Sequence, residues 1–255
     1  MHFDAKAHVC YQIANAPLRD YPFPHFYVDS VFPADYYREL LAALPPLASY
    51  LQLSETGTVP KGTYEERYSL NLHDYAGTEP ATPSARFWGE LVDWMEGGEF
   101  SALLLQKFDA QIKRRIGEGN DLLVTDESRL IRDFTNFAIG PHTDTPRKLV
   151  SLLFYLPKDD SMRHLGTSIY EPVEHGFTSD GTKHHDYSGF RKSFTAPFMP
   201  NSLFAFFKTD SAFHGVDPIP DSGIERNMLL YNIYVNHVVS AAPPRRGFRW
   251  PWSRA

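Results

Sequence analysis

The stretch Gly140-Pro141-His142-Thr143-Asp144-Thr145-Pro146 places a histidine and an aspartate two positions apart, and a largely apolar run over residues 149–156 follows it. A second apolar run, within residues 202–208, leads to Phe213-His214-Gly215-Val216. Short apolar runs bounded by turn residues are typical of buried strands. Both runs therefore predict β-structure, and each has a histidine beside it.

The same pattern extends over the second half of the chain, where short β-rich runs alternate with Gly, Pro, Asp and Asn. The candidate strands are residues 122–126, 129–138, 148–156, 166–172, 190–196, 202–208, 212–216 and 226–235. Short strands separated by turn signals predict a sandwich or jelly roll. Helical patterns come first and strands follow, so we expect the helices to brace one sheet. The predicted fold class is mainly β with supporting helices (α+β), a double-stranded β-helix, or jelly roll, braced by N-terminal helices.

Three helical patterns precede the strands. The first begins at Pro33, because proline suits the first helical turn. The second has Ser84 as its predicted N-cap, and the third ends near Gly117. Residues 48–83 are rich in Thr, Gly and Tyr and predict irregular structure that could include one hairpin.

The composition favours one domain. The chain has 255 residues and a formal net charge of −6, and it is 42% hydrophobic and 15% aromatic, so it can bury a full core. No linker divides it. We expect a single domain over residues 1–255, with helical support at about 30–120, a jelly-roll core at about 122–236 and a basic aromatic tail at 243–255. We interpret the tail as packed on its own domain or partly disordered, rather than as a surface for an anionic partner.

The sequence also limits the compartment and the partners. Cys10 is the only cysteine, so no internal disulfide is possible and a reducing cytoplasm fits. The N-terminal residues lack the pattern of a secretion signal, and no apolar run approaches membrane-spanning length. Mild acidity argues against a nucleic-acid binder. We therefore expect a cytoplasmic protein, without a membrane span or a nucleic-acid partner, and leave its oligomeric state open.

His142 and Asp144 form the candidate metal site together with His214. Positions i and i+2 of an extended chain point the same way, so His142 and Asp144 can reach one ion. Two histidines and one carboxylate can occupy one face of Fe(II) and leave the other positions open. A lone His-x-Asp is weak evidence, and the downstream His-Gly-Val strengthens it.

Arg226 is the candidate anion-binding residue. It lies twelve residues after His214 and opens the apolar strand over residues 228–235. An arginine at the mouth of a buried strand needs an anion, and its planar fork binds a carboxylate with two parallel hydrogen bonds.

In this order, His142-x-Asp144, His214 and Arg226 resemble the signature of the 2-oxoglutarate- and Fe(II)-dependent oxygenases, in particular the prolyl-hydroxylase-like group. The likeness covers roughly residues 20–45 and 122–236. Two features depart from the pattern. The gap between His214 and Arg226 is slightly longer than the commonest spacing, and Thr167 stands where the second glycine of a Gly-Gly pair is usual.

The resemblance implies the cofactor, the cosubstrates and the reaction. Fe(II) would be held by His142, Asp144 and His214, with no catalytic residue beyond these ligands. 2-Oxoglutarate would chelate the iron, and its far carboxylate would contact Arg226 and the Tyr155 hydroxyl. O2 would be the other cosubstrate. The enzyme would be a dioxygenase that hydroxylates, or otherwise oxidises, an unactivated C–H bond and releases succinate and CO2. An aspartate at position 144 argues against a halogenase, which needs a small non-ligating residue there.

The substrate is less defined. If the strand from Arg226 alternates, Asn232 faces the barrel interior with it. The loop over residues 173–189 could close over the same opening and bring His184, His185 or Tyr187 to the substrate. We favour a small metabolite or natural-product intermediate as substrate. The alternatives are a peptidyl, prolyl-type hydroxylase and a cupin-like metal-binding module without 2-oxoglutarate chemistry.

Overall fold

The computed structural model describes residues 4–78, 82–181, 183–220 and 222–239. Within these residues the helices are α1 (Ala5–Asn15), α2 (Ala34–Ala42), α3 (Leu72–Thr78), α4 (Pro83–Met95), α5 (Glu99–Lys107) and α6 (Asp109–Ile116). The strands are β1 (His25–Val28), β2 (Leu51–Gln52), β3 (Arg67–Asn71), β4 (Asp121–Phe134), β5 (Ile139–His142), β6 (Lys148–Tyr155), β7 (Ser168–Pro172), β8 (Phe190–Thr195), β9 (Ser202–Phe207), β10 (His214–Val216) and β11 (Glu225–Val239). The basic aromatic tail predicted at 243–255 lies outside the described residues.

The strands form two antiparallel sheets. The larger sheet has seven strands in the order β1-β9-β6-β11-β4-β3-β2, and the smaller has four in the order β5-β10-β7-β8. From β4 to β11 the chain passes repeatedly between the two sheets, which is the connectivity of a double-stranded β-helix. The predicted jelly roll with supporting helices is therefore confirmed.

The larger sheet is covered on both faces. Along β11, Leu229 and Tyr231 pack with the helices, whereas Met228 packs with Tyr155 and Ile169 between the two sheets. Successive residues of a strand point to opposite faces, so one strand serves both clusters. This explains why the central strands β6 and β9 have nearly continuous apolar sequences.

Helices α2, α4, α5 and α6 follow the three sequence patterns with two differences, whereas α1 and α3 were not predicted. The helix predicted after Pro33 is α2. The N-cap of α4 is Thr82, whose hydroxyl accepts a hydrogen bond from the Ala85 amide at 3.1 Å, so the prediction of Ser84 as N-cap is wrong. Ser84 instead donates to the Ala43 carbonyl at 2.7 Å. The third helical pattern divides at Phe108 into α5 and α6.

The segment predicted as irregular contains the strand that completes one side of the larger sheet. Within residues 48–83, β2 pairs with β3 in a hairpin, and β3 pairs in turn with β4. The two strands predicted at 122–126 and 129–138 form most of the single strand β4. The predicted break at residues 127–128 does not form, because Glu127 and Ser128 pair with Asn232 and Tyr231 of β11.

Among the described residues, the structure contains no helix that combines the length and the apolar character needed to cross a bilayer.

Leu229→Ala is expected to lower the free energy of unfolding by about 2–5 kcal/mol, because it removes a fully buried side chain from between β11 and the helices. Leu123→Ala, on the neighbouring strand β4, is the matched control, since Leu123 is 57% exposed. Its effect should stay within about 0.5 kcal/mol. Urea denaturation measures both variants, and equal losses would contradict the assignment of this core.

Candidate functional site

Two neighbouring strands bring the predicted metal ligands together. His142 ends β5 and His214 begins β10, and the two residues are directly opposite each other in the antiparallel pairing of these strands. Asp144 lies two residues beyond the end of β5. One ligand atom from each of the three side chains lies within 4.8 Å of the others. All three residues are at most 9% exposed, so they form a compact, mostly buried cluster.

Both histidines have the tautomer that suits a metal. His142 Nδ1 lies 2.9 Å from the Gly140 carbonyl, and His214 Nδ1 lies 2.9 Å from the Ala212 carbonyl. A carbonyl oxygen can only accept, so each Nδ1 carries the hydrogen and each Nε2 keeps its lone pair when the ring is neutral. Burial lowers the pKa of both imidazoles, most strongly that of His142, which also has two histidine neighbours.

Asp144 is fixed at both oxygens. Lys148 donates to Oδ1 at 2.9 Å, and the Ser151 hydroxyl donates to Oδ2 at 2.7 Å. Burial alone would raise the pKa of Asp144, but the Lys148 charge and the nearby imidazoles outweigh it and lower that pKa. The carboxylate is therefore ionised and oriented, as a metal ligand must be.

The cluster opens into a cavity of about 180 Å³ between the two sheets. The cavity is lined by Arg67, Ile131, Ile139, His142, Asp144, Lys148, Ser151, Leu153, Thr167, Phe206, His214, Gly215, Val216, Arg226, Met228 and Leu230. The lining is thus polar around the three candidate ligands and around Arg226, and apolar side chains lie between these two ends.

Arg226 has an anionic partner that the sequence analysis did not identify. Its NH1 donates to Asp133 Oδ2 at 2.5 Å, and its Nε donates to the Leu165 carbonyl at 2.7 Å. Arg67 contacts the same carboxylate, with Nε 2.6 Å from Oδ1 and NH2 2.8 Å from Oδ2. Arg226 is fully buried, and its NH2 has no hydrogen-bond partner among the described residues. One donor at this end of the cavity is therefore available to a ligand.

Thr167 and Tyr155 lie beside Arg226. The Thr167 amide donates to the Tyr155 hydroxyl at 3.2 Å, and the Tyr155 ring centre is 6.0 Å from the Arg226 guanidinium carbon. The Thr167 hydroxyl oxygen is buried at the cavity and has no partner in the described part of the chain. Its side chain therefore adds a second available hydrogen-bonding group at this end of the cavity.

The loop over residues 173–189 packs closely against the segment that carries the ligands. The Thr143 hydroxyl donates to the Ser179 carbonyl at 2.9 Å. Gly181 has a φ of +90°, and a Cβ there would lie 1.9 Å from the Asp144 carbonyl oxygen. Only glycine adopts this backbone conformation without strain and leaves room for the approach.

Of the three candidate substrate residues in this loop, His184 lies beside the candidate metal ligands. Its ring centre is 4.3 Å from that of His142, and its Nδ1 contacts the Tyr64 hydroxyl. His185 instead packs among Phe177, Phe190 and Phe213.

Tyr187 donates to the Val216 carbonyl at 2.8 Å, and its ring packs edge-on against Tyr170. A substrate contact for His185 or Tyr187 stays a prediction, and the partners found here account for the positions of both side chains.

Asn232 lies on the inner face of the larger sheet. It is 1% exposed and opposite Ser151, whose hydroxyl reaches Asp144. Side chains directly opposite each other in an antiparallel pair lie on the same face, so Asn232 points to the same side as Ser151. Its Oδ1 has no partner within the described residues. Asn232 does not line the cavity itself, and a role in substrate binding stays a prediction.

Comparison with known proteins yields no match to a protein-family model and none to a curated protein. The similar solved structures include 2-oxoglutarate–Fe(II) oxygenases. An oxidoreductase of that family from Burkholderia pseudomallei is 14% identical, with a TM-score of 0.48 and 92% of each chain covered. A prolyl-4-hydroxylase from Pseudomonas putida is 15% identical, with a TM-score of 0.45 and coverage of 90% of this chain and 98% of that one.

The epimerase SnoN from nogalamycin biosynthesis, which is α-ketoglutarate-dependent, is 13% identical, with a TM-score of 0.49 and coverage of 98% of this chain and 89% of that one. SnoN is also known in complex with Fe3+, α-ketoglutarate and nogalamycin RO.

His214→Ala is expected to weaken Fe(II) binding by more than the roughly 10–100-fold that loss of a supporting partner produces, because it removes a ligand itself. Anaerobic titration with Fe(II) measures the change. His185→Ala is the matched control, since its ring lies among phenylalanines outside the cluster. Unchanged binding by His214→Ala, or an equal loss in His185→Ala, would contradict the ligand assignment.

The metal-free protein is expected to lose stability as the pH falls below about 6.5. Burial lowers the pKa of His142 and His214 in the folded protein, so the unfolded chain takes up protons on these rings first. Stability rises with pH wherever the unfolded state binds more protons, so this contribution is complete above pH ~6.5 and lost below it. Urea denaturation across pH 5–8 should show a shallower dependence of stability on pH for His142→Gln than for the parent, and an equal dependence would contradict the assignment.

Proposed function

We propose that this protein is an Fe(II)- and 2-oxoglutarate-dependent dioxygenase that hydroxylates an unactivated C–H bond of a small molecule. One observation carries the proposal. A single cavity joins a cluster of two histidines and one carboxylate to a buried arginine, one donor of which has no partner in the described part of the chain. Such a cavity can hold a short dicarboxylate that reaches from a metal ion to a guanidinium.

The donor set fits Fe(II). Two imidazole nitrogens and one carboxylate oxygen on one side of a cavity form the facial arrangement that non-haem iron oxygenases use, with the remaining positions open to ligands. His142 and His214 would bind through Nε2, because hydrogen bonds to backbone carbonyls hold the proton on Nδ1. Asp144 would complete the set. With 2-oxoglutarate and O2, bound iron supplies the oxidation of a C–H bond, and succinate and CO2 are released.

The far end of the cavity fits the second carboxylate of 2-oxoglutarate. Arg226 NH2 and the Thr167 hydroxyl are buried at the cavity and have no partner among the described residues, and an anion would satisfy both. The Tyr155 hydroxyl accepts from the Thr167 amide, so its own hydrogen can be donated to the same carboxylate. These three groups would fix the orientation of the cosubstrate.

The chain contributes positioning and exclusion of water. Lys148 and Ser151 hold Asp144 ionised and in one orientation. Ile131, Met228 and Leu230 supply apolar wall between the two polar ends. A bound molecule would be held between fixed groups and against an apolar wall, and such positioning is the protein's main contribution in cofactor chemistry.

A small substrate fits the region between the candidate metal ligands and solvent. His184 is exposed, its ring lies beside that of His142, and its contact with Tyr64 joins the 173–189 loop to the segment before β3. Two chain segments thus meet beside the cluster and narrow the approach. This favours a small molecule over a peptide segment, and we propose His184 as a residue that the substrate contacts.

One observation favours a second candidate, a cupin-like metal-binding module without 2-oxoglutarate chemistry. Arg226 already has an anionic partner in Asp133. Under this alternative Arg226 is structural, and the protein binds metal but not 2-oxoglutarate. Succinate release from 2-oxoglutarate by the Fe(II)-loaded protein, screened over candidate substrates, separates the two functions.

Arg226→Met is expected to weaken binding of 2-oxoglutarate to the Co(II)-loaded protein by well over tenfold, since loss of one buried charged partner typically costs about 2–5 kcal/mol. Tyr155→Phe should be milder, because it removes one hydrogen bond to a charged group, on the order of 1.5–3 kcal/mol. Isothermal titration measures both variants.

Arg191→Met is the matched control, since that side chain is 74% exposed on β8. Equal affinity of the parent and Arg226→Met proteins for 2-oxoglutarate would rule out the proposed binding mode and support the cupin-like alternative.

A further inference from the structure

Arg226, Asp133 and Arg67 form one row across three neighbouring strands. Arg226 of β11 is directly opposite Asp133 of β4, and Asp133 is directly opposite Arg67 of β3. Residues paired in this way lie on the same face of the sheet, here the face towards the cavity. The two arginines thus meet on opposite sides of one carboxylate, which they contact through both oxygens.

The charges in this row do not balance. Guanidinium groups remain protonated in proteins, so Arg67 and Arg226 carry two positive charges. Asp133 supplies one negative charge. Arg226 and Asp133 alone would be a neutral buried pair, and the carboxylate would repel a second anion nearby. With Arg67 present, the row has one uncompensated positive charge at the end of the cavity.

Arg67 is held where it can supply that charge. Its guanidinium carbon lies 4.1 Å above the centre of the Phe137 ring, a geometry that stabilises a cation on an aromatic face. Its side chain is 16% exposed, whereas those of Asp133 and Arg226 are fully buried. Arg67 therefore closes the row towards solvent and keeps Asp133 occupied on both oxygens.

The unsatisfied groups lie at the other end of the row. Arg226 NH2 and the Thr167 hydroxyl are buried, line the cavity and lack partners among the described residues. A ligand that satisfies both would also compensate the positive charge if it were an anion. A carboxylate would therefore both accept a hydrogen bond from Arg226 NH2 and compensate the positive charge.

We propose that Arg67 is a positioning residue for the cosubstrate carboxylate, and this rests on the proposed 2-oxoglutarate chemistry. Arg67 acts through Asp133. It neutralises that carboxylate, so that Arg226 can bind the far carboxylate of 2-oxoglutarate. The anion site is composite, with Arg226 as the contacting group and Arg67 as the source of the net charge.

The test varies the charge of the row and measures equilibrium binding, not turnover. The probes are 2-oxoglutarate with Co(II)-loaded protein and glutarate with metal-free protein. Glutarate has the same far carboxylate without the 2-oxo group, so it reports on the arginine end alone. Arg67→Met makes the row neutral and is expected to weaken binding of both probes on the order of tenfold or more.

The double variant Arg67→Met/Asp133→Asn restores one net positive charge and is expected to recover most of the lost affinity. A merely structural role for Arg67 predicts the opposite, since the double variant loses more native contacts than the single one. Affinity of Arg67→Met equal to that of the parent, or a double variant no better than Arg67→Met, overturns the proposal.

Two further variants, Asp133→Asn and Arg226→Met, complete the test. If Arg67→Met does not fold, Asp133→Asn replaces it. This variant keeps both guanidiniums and should bind glutarate at least as tightly as the parent, and a tenfold loss would refute the charge argument. Arg226→Met tests the composite anion site separately from the proposed function. If it abolishes binding while Arg67→Met does not, the composite site is wrong and the proposed function stands. Failure of the parent to bind 2-oxoglutarate overturns both.

Discussion

The pairing of β5 with β10 is the constraint on which the candidate site depends. It sets His142 directly opposite His214, and residues paired across antiparallel strands have Cβ atoms only about 4.5–5.5 Å apart. Neither strand is long, with four residues in β5 and three in β10. Each imidazole is also hydrogen-bonded to the carbonyl two residues before it in its own segment, which fixes the orientation of the ring. Asp144 then needs only the turn after β5 to reach the same point.

The two sheets contribute different parts of the cavity. The smaller sheet provides both histidines, and the larger sheet provides Arg226 and the residues that orient Asp144. Because the two histidines and Arg226 belong to different sheets, the packing between the sheets fixes the distance between the candidate metal ligands and the guanidinium. The apolar cluster of Tyr155, Ile169 and Met228 therefore bears on ligand length as well as on stability.

The sequence predicted the residues whose geometry is local, and it missed those whose partners depend on strand register. His142 and Asp144 follow from an i, i+2 spacing, and Arg226 opens an apolar strand. Asp133 and Arg67 carry no such pattern, because they are 66 residues apart and meet only through the pairing of β3 with β4. The same dependence on strand pairing explains why β4 was predicted as two strands.

The break predicted between the two halves of β4 does not form, because β11, which is distant in sequence, pairs with β4 through this stretch. The jelly-roll core was predictable because strands buried on one or both faces leave a periodic or continuous apolar pattern. Residues 48–83 left no such pattern, so β3 could not be placed on the larger sheet.

Gly166 and Thr167 are neighbours, but the structure restricts them differently. A Cβ at position 166 would lie 1.6 Å from the Ala196 carbonyl oxygen, so a glycine is required there. Position 167 has no such restriction, and its side chain reaches the cavity beside Arg226. A glycine at position 167 would remove this hydroxyl from the cavity. The threonine thus adds a hydrogen-bonding group where the ligand would be, while the backbone approach that the fold needs is preserved one residue earlier.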